Sequence, residues 1–89
     1  MSDERKRYLI LARRTAAFDA AVIAPHHAYL DALRSDGRLE LAGPFSDRSG
    51  GAYVVRADGL AQAESIAFAD PLHTTGASDV TVHEWNATP

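Results

Sequence analysis

The stretch YLILA, residues 8–12, decides the fold, because it is a short continuous apolar run near the start of the chain. A second run of this kind, AYVV, spans residues 52–55. Short apolar runs with β-branched and aromatic residues are typical of strands that are buried on both faces. LELAGPF (39–45) and DVTVHEW (79–85) have shorter apolar runs or alternate in polarity, as edge strands do. The pattern therefore predicts two central strands and two edge strands.

Two helical segments separate these strands. The first is predicted from about Ala16 to Ser35 and ends at Asp36-Gly37, a usual C-terminal signal. Its apolar stripe holds Phe18, Val22, His26, Leu30 and Leu33. The second is predicted from about Leu60 to Ala69, because the residue before Pro71 is disfavoured in a helix. Its inward positions are Leu60, Ala63, Ile66 and Ala67.

The resulting order is β-α-β-β-α-β, the ferredoxin-like plan of α+β proteins, with the first and third strands at the centre of the sheet. Two helices cover only one face of a four-stranded sheet. Leu9 and Leu11 alternate with Tyr8 and Ile10, so one apolar pair is left on the uncovered face. Because an exposed apolar patch of that size indicates a partner surface, we predict a homodimer packed sheet on sheet, a dimeric α+β barrel.

Composition limits the class of protein. The chain has 89 residues, which favours a single domain over residues 1–89, and it has no cysteine. Its net charge of −3 and its pI near 5.7 give no basic footprint for nucleic acid. No apolar run approaches the roughly 20 residues of a membrane-spanning helix. We expect a cytoplasmic protein that binds neither nucleic acid nor membrane.

His26 and His27 raise the question of function. His26 shares the apolar stripe of the first helix, whereas His27 falls with Asp31 and Arg34 on its charged side. Periodicity alone favours a core histidine bonded to a backbone carbonyl. Pro25 weakens this interpretation, because the helix must either kink or start at a proline. Both outcomes bring a polar side chain to a place where a cavity can form.

No other constellation indicates a metal or a cofactor. The remaining histidines are His73, expected in a loop after Asp70-Pro71-Leu72, and His83 on the last strand. No two of the four histidines sit at ligand spacing on one face. The pair Gly50-Gly51 joins two strands and has no helix directly after it, which is unlike a phosphate loop. We therefore expect no metal and no cofactor.

Several motifs occur in an order that resembles the YCII-related (YciI-like) family. They are HHAYLDALRSDGRLELAGPF (26–45), ADPLHTTG (69–76) and the closing VTVHEW (80–85). By spacing to Gly37 and to Gly43-Pro44, the family histidine falls on His26, and the family aspartate falls on Asp70. In place of an arginine and an aromatic residue that some members carry, this chain has Ile23 and Leu72.

The resemblance implies a dimeric ferredoxin-like barrel and a cleft with a His–Asp acid/base pair, His26 and Asp70. It also implies that a small-molecule ligand lies beside Gly43, Pro44, Gly50 and Gly51. Dehydrochlorination and lactone isomerisation of small ring compounds are the activities found among relatives, and both proceed without a cofactor. The alternative is a non-catalytic module with the same fold that binds a small ligand or serves as an interaction subunit.

One geometric expectation accompanies the pair. We expect the start of the first helix and the end of the second to lie at opposite ends of the sheet. His26 and Asp70 then meet only if His26 lies well along a kinked first helix, or if the loop after Asp70 folds back. The kinked helix is the favoured version.

Overall fold

The computed structural model describes residues 5–89, and they form the α+β fold with the predicted element order. The strands are β1 (Lys6–Arg14), β2 (Leu39–Pro44), β3 (Gly50–Ala57) and β4 (Ser78–Trp85). The helices are α1 (Ile23–Ser35), α2 (Leu60–Phe68) and the short α3 (Pro71–Thr74), and a 3-10 turn, Ala20–Val22, precedes α1. The predicted ferredoxin-like plan is confirmed.

The four strands form one antiparallel sheet in the order β2-β3-β1-β4. The two continuous apolar runs therefore lie at its centre, as predicted. In the register of the sheet, Ile10 of β1 lies opposite Tyr53 of β3 and Val82 of β4. These side chains share the face that the helices cover.

The core lies between that face and the helices. It is built from side chains of β1, β3, α1 and α2, among them Tyr8, Ile10, Val55, Leu30, Leu33 and Ile66. Burying a large apolar side chain contributes about 1.5–3 kcal/mol, so this cluster is a main source of stability. Leu60 was predicted to belong to it, but its side chain is 50% exposed at the first position of α2.

The opposite face of the sheet carries apolar side chains that no helix covers. We call it the open face: Leu9, Leu11, Leu41, Val54 and Trp85 lie on it. Leu41 is 63% exposed and Trp85 is 46% exposed. Among the described residues, no helix is both long and apolar enough to cross a bilayer.

The first helix begins later than predicted. It starts at Ile23, and the 3-10 turn before it is capped by the Asp19 carboxylate, which accepts a 2.8 Å hydrogen bond from the backbone N–H of Ala21. Pro25 is the third residue of α1, where a backbone N–H has no acceptor within the helix, so the proline ring fits without distortion. The predicted start near Ala16 is therefore wrong, and His26 lies at the first turn of α1.

The region around Asp70 also differs in detail. The second helix ends at Phe68, and Asp70 begins the short helix α3 by accepting a 2.9 Å hydrogen bond from the backbone N–H of Leu72. His73, expected in a loop, belongs to α3. Proline at the first position of α3 is favourable because its missing N–H has no partner there anyway.

The expectation that the two helix ends lie apart is wrong. Because β1 runs antiparallel to both β3 and β4, its last residue, Arg14, lies opposite Ser78, the first residue of β4. Gly50, the first residue of β3, lies opposite Arg13 at the same end. α1 starts after β1 and α2 leads back to β4, so the start of α1 and the end of α2 share one end of the sheet.

Candidate functional site

A cavity of about 520 Å³ opens at this end of the sheet. Its apolar wall includes Phe18, Ile23, Leu30 and Leu72, from the segment before α1, from α1 itself and from α3. Drug-sized ligand pockets in proteins have volumes of about 300–1,000 Å³, so the space suits a small organic molecule.

The residues expected to border a ligand all line this cavity. Gly43 and Pro44 end β2, and Gly50 and Gly51 begin β3. His26 lines it as well, with 16% of its side chain exposed. His27, expected on the surface, is exposed and reaches the cavity rim.

The structure brings His26 and Asp70 together. The Nδ1 atom of His26 lies 2.9 Å from both carboxylate oxygens of Asp70. Asp70 itself is fully buried, behind the imidazole as seen from the cavity. The late start of α1 places His26 at the same end of the sheet as Asp70, so neither a kink nor a folded-back loop is needed.

Two further donors hold the Asp70 carboxylate in place. The Tyr53 hydroxyl donates to Oδ2 at 2.9 Å, and the backbone N–H of Leu72 donates to Oδ1 at 2.9 Å. A carboxylate only accepts hydrogen bonds, so these contacts match an ionised Asp70. An ionised Asp70 makes His26 Nδ1 the donor of this contact, and in the neutral tautomer with Nδ1–H the free electron pair lies on Nε2.

Tyr53 was not recognised from the sequence. It lies in the central strand β3, within the apolar run used to predict that strand, and its side chain is buried on the helix-covered face. Burial raises the pKa of its phenol far above the ordinary value, and the charge of Asp70 and the hydrogen bond to it raise the pKa further. The phenol therefore stays protonated and keeps donating. The sequence signal for this role was a residue with a hydroxyl group at an inward-facing position of β3.

A second tyrosine, Tyr29, lies nearby, and its pKa is raised for a similar reason. The Tyr29 hydroxyl donates to the backbone carbonyl of Ile66 at 2.7 Å. Burial, followed by the charge of Asp70, raises its pKa. Both phenols therefore stay protonated at neutral pH, and Tyr53 alone of the two donates to the carboxylate.

The two glycines at the start of β3 have a structural reason to be glycine. A Cβ atom on Gly50 would lie 1.9 Å from the backbone oxygen of Ala12, and the φ of Gly50 is +156°. A Cβ on Gly51 would lie 2.6 Å from the backbone oxygen of Gly43. Their small size lets the strands approach closely, and it also leaves the cavity floor open.

Among the residues described, no group of three or more His, Cys, Asp or Glu side chains is placed to hold a metal ion. The charged or titratable side chains that line the cavity include those of His26, His27 and Asp31. Of these, the His26 imidazole is the one that both faces the cavity and is oriented by a buried carboxylate.

Comparisons with known proteins place this geometry in a wider context. The family model of the YCII-related domain matches residues 6–86. The uncharacterized protein YjpA of Bacillus subtilis (strain 168) is 47% identical over 78 residues, which cover 88% of this chain and 92% of that protein.

A solved structure of similar fold is that of 5-chloro-2-hydroxyhydroquinone dehydrochlorinase (TftG) from Burkholderia phenoliruptrix AC1100, in complex with 2,5-dihydroxybenzoquinone. The two folds agree with a TM-score of 0.71 over 92% of this chain and 95% of that one, at 19% sequence identity. At this identity the likeness shows a shared α+β fold and nothing beyond it.

Proposed function

Because this chain belongs to the YCII-related family, we propose that its cavity is the active site of a cofactor-independent enzyme that moves a proton on a small ring compound. The observation that carries this proposal is the 2.9 Å contact between His26 Nδ1 and the buried Asp70 carboxylate at the wall of the cavity. A positioned imidazole with a free nitrogen is the commonest general acid/base in enzymes.

In the proposed mechanism, Asp70 accepts the Nδ1–H bond and fixes the tautomer of His26. Nε2 then takes a proton from a carbon or a hydroxyl group of the ligand, and the resulting imidazolium is stabilised by the carboxylate. If the same proton returns to another ligand atom, the net reaction is an isomerisation. If chloride leaves from the neighbouring carbon with the electron pair of its bond, the net reaction is an elimination of HCl.

General acid–base catalysis contributes roughly 10²- to 10⁴-fold, which suits a ligand whose proton is already acidic. The substrate and the bound molecule named for TftG, a chlorinated hydroxyhydroquinone and a dihydroxybenzoquinone, are small rings with acidic hydroxyl groups. The apolar walls and the size of the present cavity support a ligand of that kind for this chain.

His26→Ala is the decisive variant for this mechanism, and His27→Ala is its matched control. Both remove one imidazole at the cavity, but the structure pairs only His26 with a carboxylate. Small hydroxylated quinones and lactones are first screened for binding by thermal shift. Turnover of those that bind is then followed by chloride release, or by exchange of ring protons with D2O in NMR spectra.

We expect His26→Ala to lose turnover by about 100-fold or more while ligand affinity is retained. His27→Ala should stay within a few-fold of the parent. A His26→Ala variant that turns over as fast as the parent contradicts the mechanism. Binding without turnover in the parent would instead identify a non-catalytic binding module, the alternative for this fold.

We further propose that the protein is a homodimer in which two open faces pack against each other. The exposure of Leu41 and Trp85 supports this, because apolar side chains gathered on one uncovered sheet face favour a partner of the same kind. The net charge of −3 supports a protein that does not bind nucleic acid. We also propose a cytoplasmic location.

A further inference from the structure

Arg14, the last residue of β1, presents a guanidinium group to the cavity. Its guanidinium carbon lies 4.1 Å from the centroid of the Phe18 ring, a cation–π contact. Phe18 in turn packs against a small buried cluster of Ala12, Val22, Leu72 and Ala77. The packed Phe18 ring therefore holds the charge of Arg14 at a defined place on the rim of the cavity.

This charge has no counter-charge within the described chain. Two arginines line the cavity, and the other one, Arg34, is paired with Asp31 at 2.7 Å. No carboxylate among residues 5–89 lies within ion-pair distance of the Arg14 guanidinium. The carboxylate inside the site, Asp70, is already bonded to three donors. The cavity therefore keeps one unneutralised positive charge.

A second polar group without a partner lies beside it. Ser78 is the direct neighbour of Arg14 across the β1–β4 ladder, so their side chains stand on the same face of the sheet. Ser78 lines the cavity and is only 5% exposed. Its hydroxyl makes no hydrogen bond to any residue that the structure describes. Among the described residues, every fully buried polar side-chain atom has a hydrogen-bond partner, so the Ser78 hydroxyl is not fully buried. The hydroxyl oxygen therefore opens onto the cavity.

We propose that Arg14 and Ser78 form an anion-binding subsite, and that the ligand is a small ring compound carrying a carboxylate. A guanidinium offers parallel N–H donors that match the two oxygens of a carboxylate, and the serine hydroxyl adds a third donor at its side. The subsite holds the charged end of the ligand while the ring lies along the apolar wall toward His26. This inference rests on the proposed function only in requiring that the cavity binds a small molecule.

Benzoate and benzamide test the proposal, because they share size and shape and differ in charge. Each is titrated into ¹⁵N-labelled protein, and dissociation constants are taken from amide shifts of cavity residues. We expect the parent to prefer benzoate, and Arg14→Gln to weaken benzoate binding by about tenfold or more through loss of the charge-assisted bonds. Benzamide binding should be unchanged in this variant.

Arg13→Gln is the matched control, because it removes the same charge from the adjacent residue, which does not line the cavity. It should keep the benzoate preference. Arg14→Lys keeps the charge without the planar fork, so it should retain part of the preference and guards against a folding defect in Arg14→Gln. Ser78→Ala should weaken benzoate binding by a few-fold and leave benzamide binding as it is.

Equal binding of the two probes by the parent, or no binding at millimolar concentration, overturns the proposal. So does an equal loss in Arg13→Gln and Arg14→Gln. Benzoate undergoes no reaction here, so the result is independent of proton transfer, and His26→Ala should keep the preference. Loss of turnover in His26→Ala with no effect of Arg14→Gln would leave the proposed function intact and refute the subsite.

Discussion

At the scale of single residues, Asp70 joins three parts of the fold. Its carboxylate accepts from His26 in α1, from Tyr53 in β3 and from the backbone of Leu72 in α3. Because the group is fully buried, every lost donor leaves an acceptor without water to replace it. The contacts that orient the imidazole are thus also contacts that stabilise the fold.

Tyr53→Phe should destabilise the protein by about 1–3 kcal/mol, because it removes a donor from a buried carboxylate. Urea unfolding measures the change in the free energy of unfolding. Tyr29→Phe is the control, since the Tyr29 hydroxyl bonds the carbonyl of Ile66 and not Asp70. It should cost less, and a larger loss in Tyr29→Phe than in Tyr53→Phe would contradict this account of Asp70.

Tyr53 should also make stability fall at alkaline pH. Its pKa is raised in the folded state, chiefly by burial and then by Asp70, above the value of 10.0 expected for an unfolded chain. Above about pH 10 the unfolded state releases this proton while the folded state keeps it, so stability is lost as the pH rises, by up to about 1.4 kcal/mol per pH unit.

Unfolding free energies measured from pH 8 to pH 11 in parent and Tyr53→Phe check this sign. The variant should lose less stability above pH 10, with a remaining slope from Tyr29 and Tyr8, whose pKa values are also raised. Identical slopes in the two proteins would show that the Tyr53 proton is not linked to folding.

Gly50→Ala should destabilise the protein by about 2–4 kcal/mol, because an added Cβ meets backbone at 1.9 Å and the residue has a positive φ. Gly59→Ala is the control, since a Cβ there has no atom within 4 Å and Gly59 has no positive φ. Thermal unfolding of both variants measures the difference. Equal losses would mean that the close approach of β1 does not require Gly50.

At the scale of elements, the start of α1 decides where the imidazole lies. Beginning the helix at Ile23 puts Pro25 in the first turn and His26 beside the cavity. The proline therefore marks the beginning of a helix and not a break inside one.

Pro25→Ala should change the free energy of unfolding by no more than about 1 kcal/mol, because no hydrogen bond within the helix is gained or lost at that position. Ala28→Pro, one turn further into the same helix, should cost about 3 kcal/mol or more, because it removes an internal hydrogen bond and clashes with the preceding turn. Circular dichroism during thermal unfolding compares the two. A large loss in Pro25→Ala would argue against the observed helix start.

Most elements followed from patterns along the chain, and the differences have identifiable causes. Phe18 and Val22 keep helical spacing with His26, but they pack on a small cluster beside α3 from a loop and a 3-10 turn. Spacing alone does not distinguish such a turn from the next turn of a helix. For a similar reason, the sequence predicted only part of the candidate site. His26 stood out as a polar residue on an apolar stripe, whereas the partner of the Tyr53 hydroxyl depends on how β3 and α3 pack together.

At the scale of the whole molecule, the open face governs assembly. Leu41→Glu places a charge on that face and should convert the proposed dimer to monomer, because burying an unpaired carboxylate between two sheets is costly. Leu60→Glu is the matched control, since Leu60 is 50% exposed on α2, away from the open face. Sedimentation velocity at micromolar concentration reads out the mass. Monomeric parent protein, or equal dissociation by both variants, would refute the sheet-to-sheet dimer.

The triple attachment of Asp70 has a consequence for the history of such chains. If the proposed proton transfer were lost in a related chain, Asp70 would still join α1, β3 and α3, so selection for folding alone would preserve the carboxylate. An aspartate at this position in a relative would therefore indicate a shared fold. A histidine at position 26, which faces the cavity, would be the better indicator of a shared function under the mechanism proposed above.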